Sequence, residues 1–339
     1  MAIKLGVFSA QPYEEKAISA EADDTLEIQY FPVALNTKTV SLCDNLDVIC
    51  VFVNDDVNAD VIAKLAESGV YHIALRCAGY NNVDLDAAKR LGVAVSHVPA
   101  YGPEAVAEHA VALMLTLNRK MHKAYNRVKD GNFNLNGLLG FNMAGKTVGI
   151  IGTGHIGRAT ARILMGFGCH VLCVDPYPDK LLQKSGARYT DLDTLLSQSD
   201  IISLHCPLNK DSYHLINDET INKMKNGVML INTSRGGLTD THALINGLKS
   251  HKIGYLGLDV YEMESELFFK DHSCEIIQDD IFERLATFHN VLITGHQGFF
   301  TQEALSQISS TTLSNISAWH NDEATTNSFL VLPPKAVPS

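Results

Sequence analysis

Arg235, His296 and a short acidic stretch are the residues of this chain best suited to act together on a small anionic carbonyl compound. Arg235 stands in 231-INTSRGG-237, after a β-branched run and beside two glycines. A ligand can approach closely there, and a carboxylate can be gripped through two parallel hydrogen bonds. The competing role for it is a surface ion pair. His296 stands in 294-TGHQGFF-300 after another apolar run, and an imidazole that titrates near neutrality suits reversible proton transfer. Against that, any one of the 14 histidines can be a hydrogen-bonded structural residue. A proton donor of this kind needs an acid to hold it, and 259-DVYEMESELFF-269 offers Asp259, Glu262, Glu264 and Glu266. Spacing does not choose among them.

Residues 146–175 supply the chemistry that these groups could serve. Gly152-Thr-Gly154-His-Ile-Gly157 matches G-x-G-x-x-G, a weak pattern alone. Here it follows the apolar run 147-TVGIIG-152 and opens the helical pattern 158-RATARILMGF-167. Gly152 permits a tight turn, Gly154 lets the backbone approach a pyrophosphate, and Gly157 lets the helix pack on the strand. The phosphates then sit on free N–H groups at the start of that helix, where His155 and Ile156 stand. A second apolar run, 170-HVLCVD-175, ends on Asp175, about 20 residues past Gly152, the usual place for an acid that bonds the adenosine ribose hydroxyls. A carboxylate there repels a 2′-phosphate, so NAD is expected rather than NADP. Arginine, histidine and acid then read as a hydride-transfer site: one anchors and polarises, one exchanges a proton, one orients the exchanger.

The elements that must position these residues alternate along the whole chain, short β-branched runs with helical patterns, which predicts parallel sheets of βαβ units. The first series has strands at 3–8, 48–53, 71–76 and 93–96, with helices at 57–68 and 85–91, the latter N-capped by Asp84 and ended by Gly92. The second has strands at 147–152, 170–175, 201–206, 228–233, 255–260 and 291–294, apolar enough to be buried on both faces of a sheet. A long helix from near Pro103 separates the series, Pro99 and Pro103 flank a hinge, and the helical pattern 301–320 leads back to the first domain. The expected fold is α/β, with two doubly wound parallel-sheet domains. One is a smaller, flavodoxin-like substrate domain of residues 1–101 and 298–339, and the other a Rossmann cofactor domain of residues 102–297. Disorder is expected in the tail 331-VLPPKAVPS-339.

Composition excludes several classes of function. Lys+Arg 27 against Asp+Glu 38 leaves a formal charge of −11, which disfavours nucleic acid or an anionic membrane as main partner. The opening MAIKLGVFSAQ lacks the basic stretch and long apolar run of a signal peptide. The segment 105-AVAEHAVALMLTLN-118 is interrupted by Glu108 and His109 and is too short to span a membrane. Seven cysteines, mostly in apolar runs and without paired C-x-x-C units, read as reduced cytoplasmic thiols rather than disulfides or metal ligands. Cys206, in 205-HC-206, lacks convergent partners for a metal.

Over nearly its whole length the chain resembles the D-isomer-specific 2-hydroxyacid dehydrogenase family, and within it the fermentative D-lactate dehydrogenases. The segments that carry the resemblance are 76-RCAGYNNVDLDAA-88, 99-PAYGPEAVAEHA-110, the glycine turn, 205-HCPL-208, 231-INTSRGG-237, 257-GLDVYE-262 and 294-TGHQGFF-300, in family order. The resemblance implies Arg235 as substrate anchor and polariser, His296 as acid/base, and Glu264 as the carboxylate that favours its imidazolium form. The implied reaction is the reversible reduction of pyruvate to D-lactate by hydride from NADH. It also implies that backbone N–H groups around Ala78 and Gly79 receive the substrate carboxylate and that Tyr101 faces the substrate. Asp259, Thr233 and Ser234 would hold the nicotinamide end, and Cys206 and Pro207 would line the adenine side. Ser212 stands where many relatives carry an asparagine near the cofactor. Phe52, Tyr101 and Phe299 suit a small pocket around a methyl group, although Phe52 is equally suited to the core. Two other readings stand beside this one. A bulkier 2-keto acid could be the substrate, since one methylene discriminates by only ~1–3 kcal/mol. An NAD-sensing regulator could reuse the fold, although the chain lacks basic segments and long interaction tails. A homo-oligomer, dimer or tetramer, is expected, with the apolar helix 104–118 as a candidate interface.

Overall fold

Capping side chains and the burial of strands on both faces decide where each element begins and ends. The computed structural model describes residues 2–269, 271–324 and 328–333. The chain divides into two units, one running to Gly102 and resuming at Phe300, the other Pro103–Phe299.

In the first unit, β1 (Ile3–Val7), β2 (Leu26–Tyr30), β3 (Val48–Val51), β4 (His72–Leu75) and β5 (Ala94–Ser96) form a parallel sheet in the order 2-1-3-4-5. This is the flavodoxin-like winding, whose direction reverses between β1 and β3. β3 and β4 are buried throughout, whereas β2 alternates half-buried Leu26, Ile28 and Tyr30 with exposed Glu27 and Gln29. An edge strand of that kind shows no continuous apolar run, which is why β2 is not among the expected strands. Helix Leu85–Leu91 starts where the Asp84 carboxylate accepts the Ala87 N–H and stops at Gly92, whose φ of 71° is left-handed. Helix Gln302–His320 adds Leu313 and Ile316 to the core formed by Leu5, Val7, Val48 and Ala74. The expected disorder at 331–339 is corrected at its start. Strand Phe329–Val331 pairs antiparallel with β5, Val331 opposite Val95, because an apolar pair there extends the sheet by one strand. Residues 334–339 lie outside the described residues.

The loops that leave β1, β3 and β4 are tied by a buried ionic cluster. Arg76 Nε donates to Glu14 Oε1 at 2.6 Å, with side chains only 2% and 8% exposed, and Arg76 also reaches the Ser9 carbonyl at 3.2 Å. Its guanidinium lies over the Phe52 ring, 5.1 Å from the centroid. Asp55 accepts the Ser9 hydroxyl and the N–H groups of Leu35 and Phe52 at 2.6–2.7 Å.

In the second unit, β6 (Thr147–Ile151), β7 (His170–Val174), β8 (Arg188–Tyr189), β9 (Ile201–Leu204), β10 (Val228–Asn232), β11 (Ile253–Leu258) and β12 (Val291–Ile293) are all parallel, in the order 12-11-10-9-6-7-8. That is a Rossmann sheet whose winding reverses between β6 and β9. β11 begins and ends two residues earlier than its apolar run suggests. A register irregularity at Val228/Met229 accompanies the close approach of Gly254, where a Cβ would meet the Gly227 carbonyl oxygen at 2.6 Å. Asp259 therefore stands just past the strand instead of inside it.

Helix Pro103–Arg119 is apolar for a reason internal to this unit. Ala110, Val111, Leu113, Met114 and Leu117 pack into one core with Val148, Ile150, Met229 and Ile231. The core of this unit takes those side chains, which accounts for much of the apolarity of 104–118. Exposed apolar side chains cluster at Met121, Tyr125, Val128, Phe133, Leu135 and Leu139. No helix among the described residues is long and apolar enough to cross a membrane.

The Arg76–Glu14 pair yields a stability test. Glu14→Leu strands a buried guanidinium, a change that costs ~3–5 kcal/mol. A fall in the urea midpoint is expected, and Glu14→Leu combined with Arg76→Leu should recover part of it. A single variant as stable as the wild type would refute the argument.

Candidate active site

The glycine turn is built by contacts that exclude a Cβ at two of its positions and leave space at the third. Gly152 has φ 93°, and a Cβ there would meet the Cys206 nitrogen at 2.6 Å and the His205 carbonyl carbon at 2.7 Å. Gly157, in helix His155–Gly166, lies so close to the turn that a Cβ would come within 2.0 Å of the Gly152 oxygen. A Cβ at Gly154 would meet nothing within 4 Å, so the space beside the first N–H groups of the helix is open. This is the combination a pyrophosphate needs. Asp175, directly after β7, accepts the Thr153 N–H at 2.6 Å and the Tyr177 N–H at 2.7 Å, which fixes its carboxylate beside the turn. His155 Nδ1 lies 3.2 Å from Arg158, and Ile156 is half-buried in the first turn of the helix.

The end of β10 carries the next group. Asn232, fully buried, accepts the Ser234 N–H at 3.0 Å and donates to the Arg235 carbonyl at 2.9 Å, so one side chain closes the turn at both ends. The Ser234 hydroxyl donates to the Cys206 carbonyl at 2.8 Å. Thr233 is only 7% exposed, and its Oγ1 has no hydrogen-bond partner among the described residues, as expected of a group awaiting a bound molecule. Burial pushes the Cys206 thiol up to about 11, so it remains an uncharged liner next to Pro207. The Ser212 hydroxyl donates to the Pro207 carbonyl at 2.7 Å and accepts the Asn209 N–H at 2.8 Å; it is used within its own loop.

Arg235 is half-buried and donates to the Ser234 carbonyl at 2.7 Å. Among the described residues no carboxylate lies within ion-pair distance of it, so the competing surface ion pair is not formed. A partly desolvated guanidinium without an acid is a site for an anion from outside the chain. The chain after it packs on the chain before Glu264, where a Cβ at Gly236 would meet the Tyr261 carbonyl at 2.2 Å.

His296 follows β12 with φ 53°, a left-handed conformation. Its Nδ1 lies 3.0 Å from Glu264 Oε1, so Nδ1–H donates to the carboxylate. Nε2 makes no hydrogen bond among the described residues. Glu264 Oε2 in turn accepts the Tyr261 N–H at 3.0 Å, which fixes the acid at the start of helix Glu264–Leu267.

Three of the acids left open by spacing are thus separated by their partners. Glu262 accepts from His214 Nε2 at 2.7 Å and from the Thr241 hydroxyl at 3.0 Å. Asp259 accepts the Gln297 and Gly298 N–H groups at 2.9 and 2.8 Å, so it holds the turn that carries His296. Burial raises the Asp259 pKa, but hydrogen bonds from His109 and Thr294 outweigh it and leave the group below its ordinary value. The Glu266 side chain lies outside the described residues. His109 and Thr294 are parts of this arrangement that the sequence reading missed; the only signal was a histidine interrupting an apolar helix.

In the first unit, Ala78 and Gly79 follow Arg76. Their carbonyls accept from His97 Nδ1 and the Cys77 thiol, each at 3.1 Å, while their N–H groups donate to no acceptor among the described residues. Tyr101 is half-buried, and Phe52 is buried beneath Arg76. In the second unit Phe299 is buried.

Residues 111–298 match the family model described as D-isomer specific 2-hydroxyacid dehydrogenase, NAD binding domain. A D-lactate dehydrogenase of Escherichia coli (strain K12) is 53% identical over 329 residues, 97% of this chain and 100% of that relative. The apo-structure of D-lactate dehydrogenase from Escherichia coli matches with a TM-score of 0.90 at 51% identity, covering 97% of this chain and 100% of that one. A structure described as the pyruvate reductase of Chlamydomonas reinhardtii matches with a TM-score of 0.93 at 45% identity, covering 96% and 98%.

Gly157→Ala forces the helix away from Gly152 and so withdraws the N–H groups from a pyrophosphate. In a fluorescence titration NADH binding should weaken by about tenfold or more, roughly 1.4 kcal/mol. Unchanged affinity would mean that the turn does not hold the dinucleotide.

Proposed function

The chain belongs to the D-isomer-specific 2-hydroxyacid dehydrogenase family, and on that premise we propose that it is an NAD-dependent D-lactate dehydrogenase, which reduces pyruvate reversibly to D-lactate. The observation that carries this reading is the His296–Glu264 pair at 3.0 Å, placed where the β11 and β12 segments end and next to the strand that delivers Arg235. Gly152, Gly154, Gly157, Asp175, Thr233 and Ser234 would hold NADH, which would supply the hydride for C2 of the keto acid. His296 gives the proton on Nε2 to the carbonyl oxygen as it becomes an alkoxide. Glu264, accepting from Nδ1, holds the ring in place and stabilises its positive charge before the transfer. Arg235, with no acid of its own among the described residues, draws on the carboxylate and the carbonyl oxygen together. In lactate oxidation neutral His296 takes the proton back.

The seven cysteines, six of them not exposed, support a reducing compartment, the cytoplasm. The exposed apolar side chains between Met121 and Leu139 support self-association. Sedimentation should therefore give particles larger than the 37.0 kDa chain, and monomers alone would overturn that part of the reading.

Incubation with pyruvate and NADH, followed by chiral analysis of the lactate, tests the function directly. D-lactate is expected. L-lactate, or NADH binding without turnover, would overturn the proposal, and a higher kcat/KM for bulkier 2-keto acids would move the substrate. His296→Gln should lower kcat by roughly 10²–10⁴-fold. Because Glu264 holds the ring through Nδ1, Glu264→Gln should lower kcat by about tenfold or more with NADH affinity little changed. A variant with wild-type kcat would remove Glu264 from its role.

A further inference from the structure

His296 occupies a backbone conformation that costs an ordinary residue about 1–2 kcal/mol, so its turn exists only if its surroundings over-determine it. One buried acid gathers the turn around it. Asp259 is 1% exposed, and its carboxylate accepts the Thr294 hydroxyl together with the Gln297 and Gly298 N–H groups, while its main-chain oxygen accepts the His296 N–H at 2.7 Å. Gly298 permits the close approach, since a Cβ there would lie 2.9 Å from Asp259 Oδ2. One further donor reaches this group from a distant part of the chain: His109 Nε2, on helix Pro103–Arg119, lies 3.2 Å from Asp259 Oδ1 and 3.0 Å from Thr294 Oγ1. Thr294 spends its own proton on Asp259, so its oxygen is an acceptor and Nε2 carries the hydrogen.

We infer that His109 is a positioning residue for the acid/base: by donating between Asp259 and Thr294 it joins the His296 turn to a helix packed in the core of the second unit. The inference rests on the reading of His296 as the acid/base. In this role His109 acts through Asp259. Loss of the donor leaves a buried carboxylate and a hydroxyl short of a partner, and the turn relaxes in the direction that lowers its strain. A displacement of this kind lowers the fraction of complexes in reacting geometry, and it leaves the glycine turn, on a different strand of the sheet, as it was.

The test compares His109→Leu with His109→Gln. Leucine suits an apolar helix and removes the donor, whereas glutamine offers an N–H at similar reach. For pyruvate reduction, His109→Leu should lower kcat by about tenfold to a hundredfold, with the NADH dissociation constant within about twofold of the wild type. His109→Gln should recover most of the lost kcat. A leucine variant with wild-type kcat overturns the assignment, as does a glutamine variant equally impaired, or a kcat loss matched by a loss of NADH binding. If His109→Leu does not fold, His109→Gln decides alone: near wild-type kcat upholds the donor role and a large loss refutes it. A wild-type protein without pyruvate reductase activity would overturn the enzymatic reading itself, an outcome distinct from an active wild type that tolerates His109→Leu.

Discussion

A carboxylate taken out of water must recover several kcal/mol from its neighbours, and at Asp259 most of those neighbours belong to the turn 294–298. The donors that satisfy it come from Thr294, Gln297, Gly298 and His109. An acid buried at the end of β11 is satisfied by residues 294–298 closing over it, in a turn where His296 has a left-handed backbone. The backbone geometry of His296 is tied to the solvation of an acid at the end of the neighbouring strand. Desolvation and donation act in opposite senses on that carboxylate, and donation is the stronger.

The same stretch shows how one kind of charge is given separate tasks by position. Asp259 supports the turn, Glu262 is committed to His214 and Thr241, and Glu264 faces His296. Arg235, one strand over, is left without an acid among the described residues. A carboxylate placed on Arg235 would neutralise its charge, and a carboxylate removed from His296 would free the ring to turn. Glycines make the arrangement compact: Gly236 against Tyr261, and Gly152 against Cys206, allow main chains to touch where any side chain would hold them apart.

The first unit meets a comparable problem with an ion pair. Arg76 and Glu14 are buried together at the reversal of the β1–β3 winding, directly before the N–H groups of Ala78 and Gly79. Such a pair contributes modestly to net stability but makes the loss of either partner costly. The loops that leave β1 and β4 are thereby held together.

Local patterns determined much of this protein from the sequence alone. The glycine turn, the strand–helix alternation, the Asp84 and Gly92 caps and the central strands are written in neighbouring residues, because caps, tight turns and apolar runs are satisfied within a few positions. Where stability comes from a distant partner, the local signal was absent. β2 and the strand Phe329–Val331 lie at the edges of their sheet and are strands only because β1 and β5 pair with them. Spacing could not separate the acids between 259 and 266, and the choice of Glu264 came from family resemblance until hydrogen-bond partners distinguished it from Asp259 and Glu262. His109 read as an interruption of an apolar helix. Only the tertiary structure brings it to Thr294, 185 residues away, because a buried polar group is defined by what surrounds it in space and not by what precedes it in the chain.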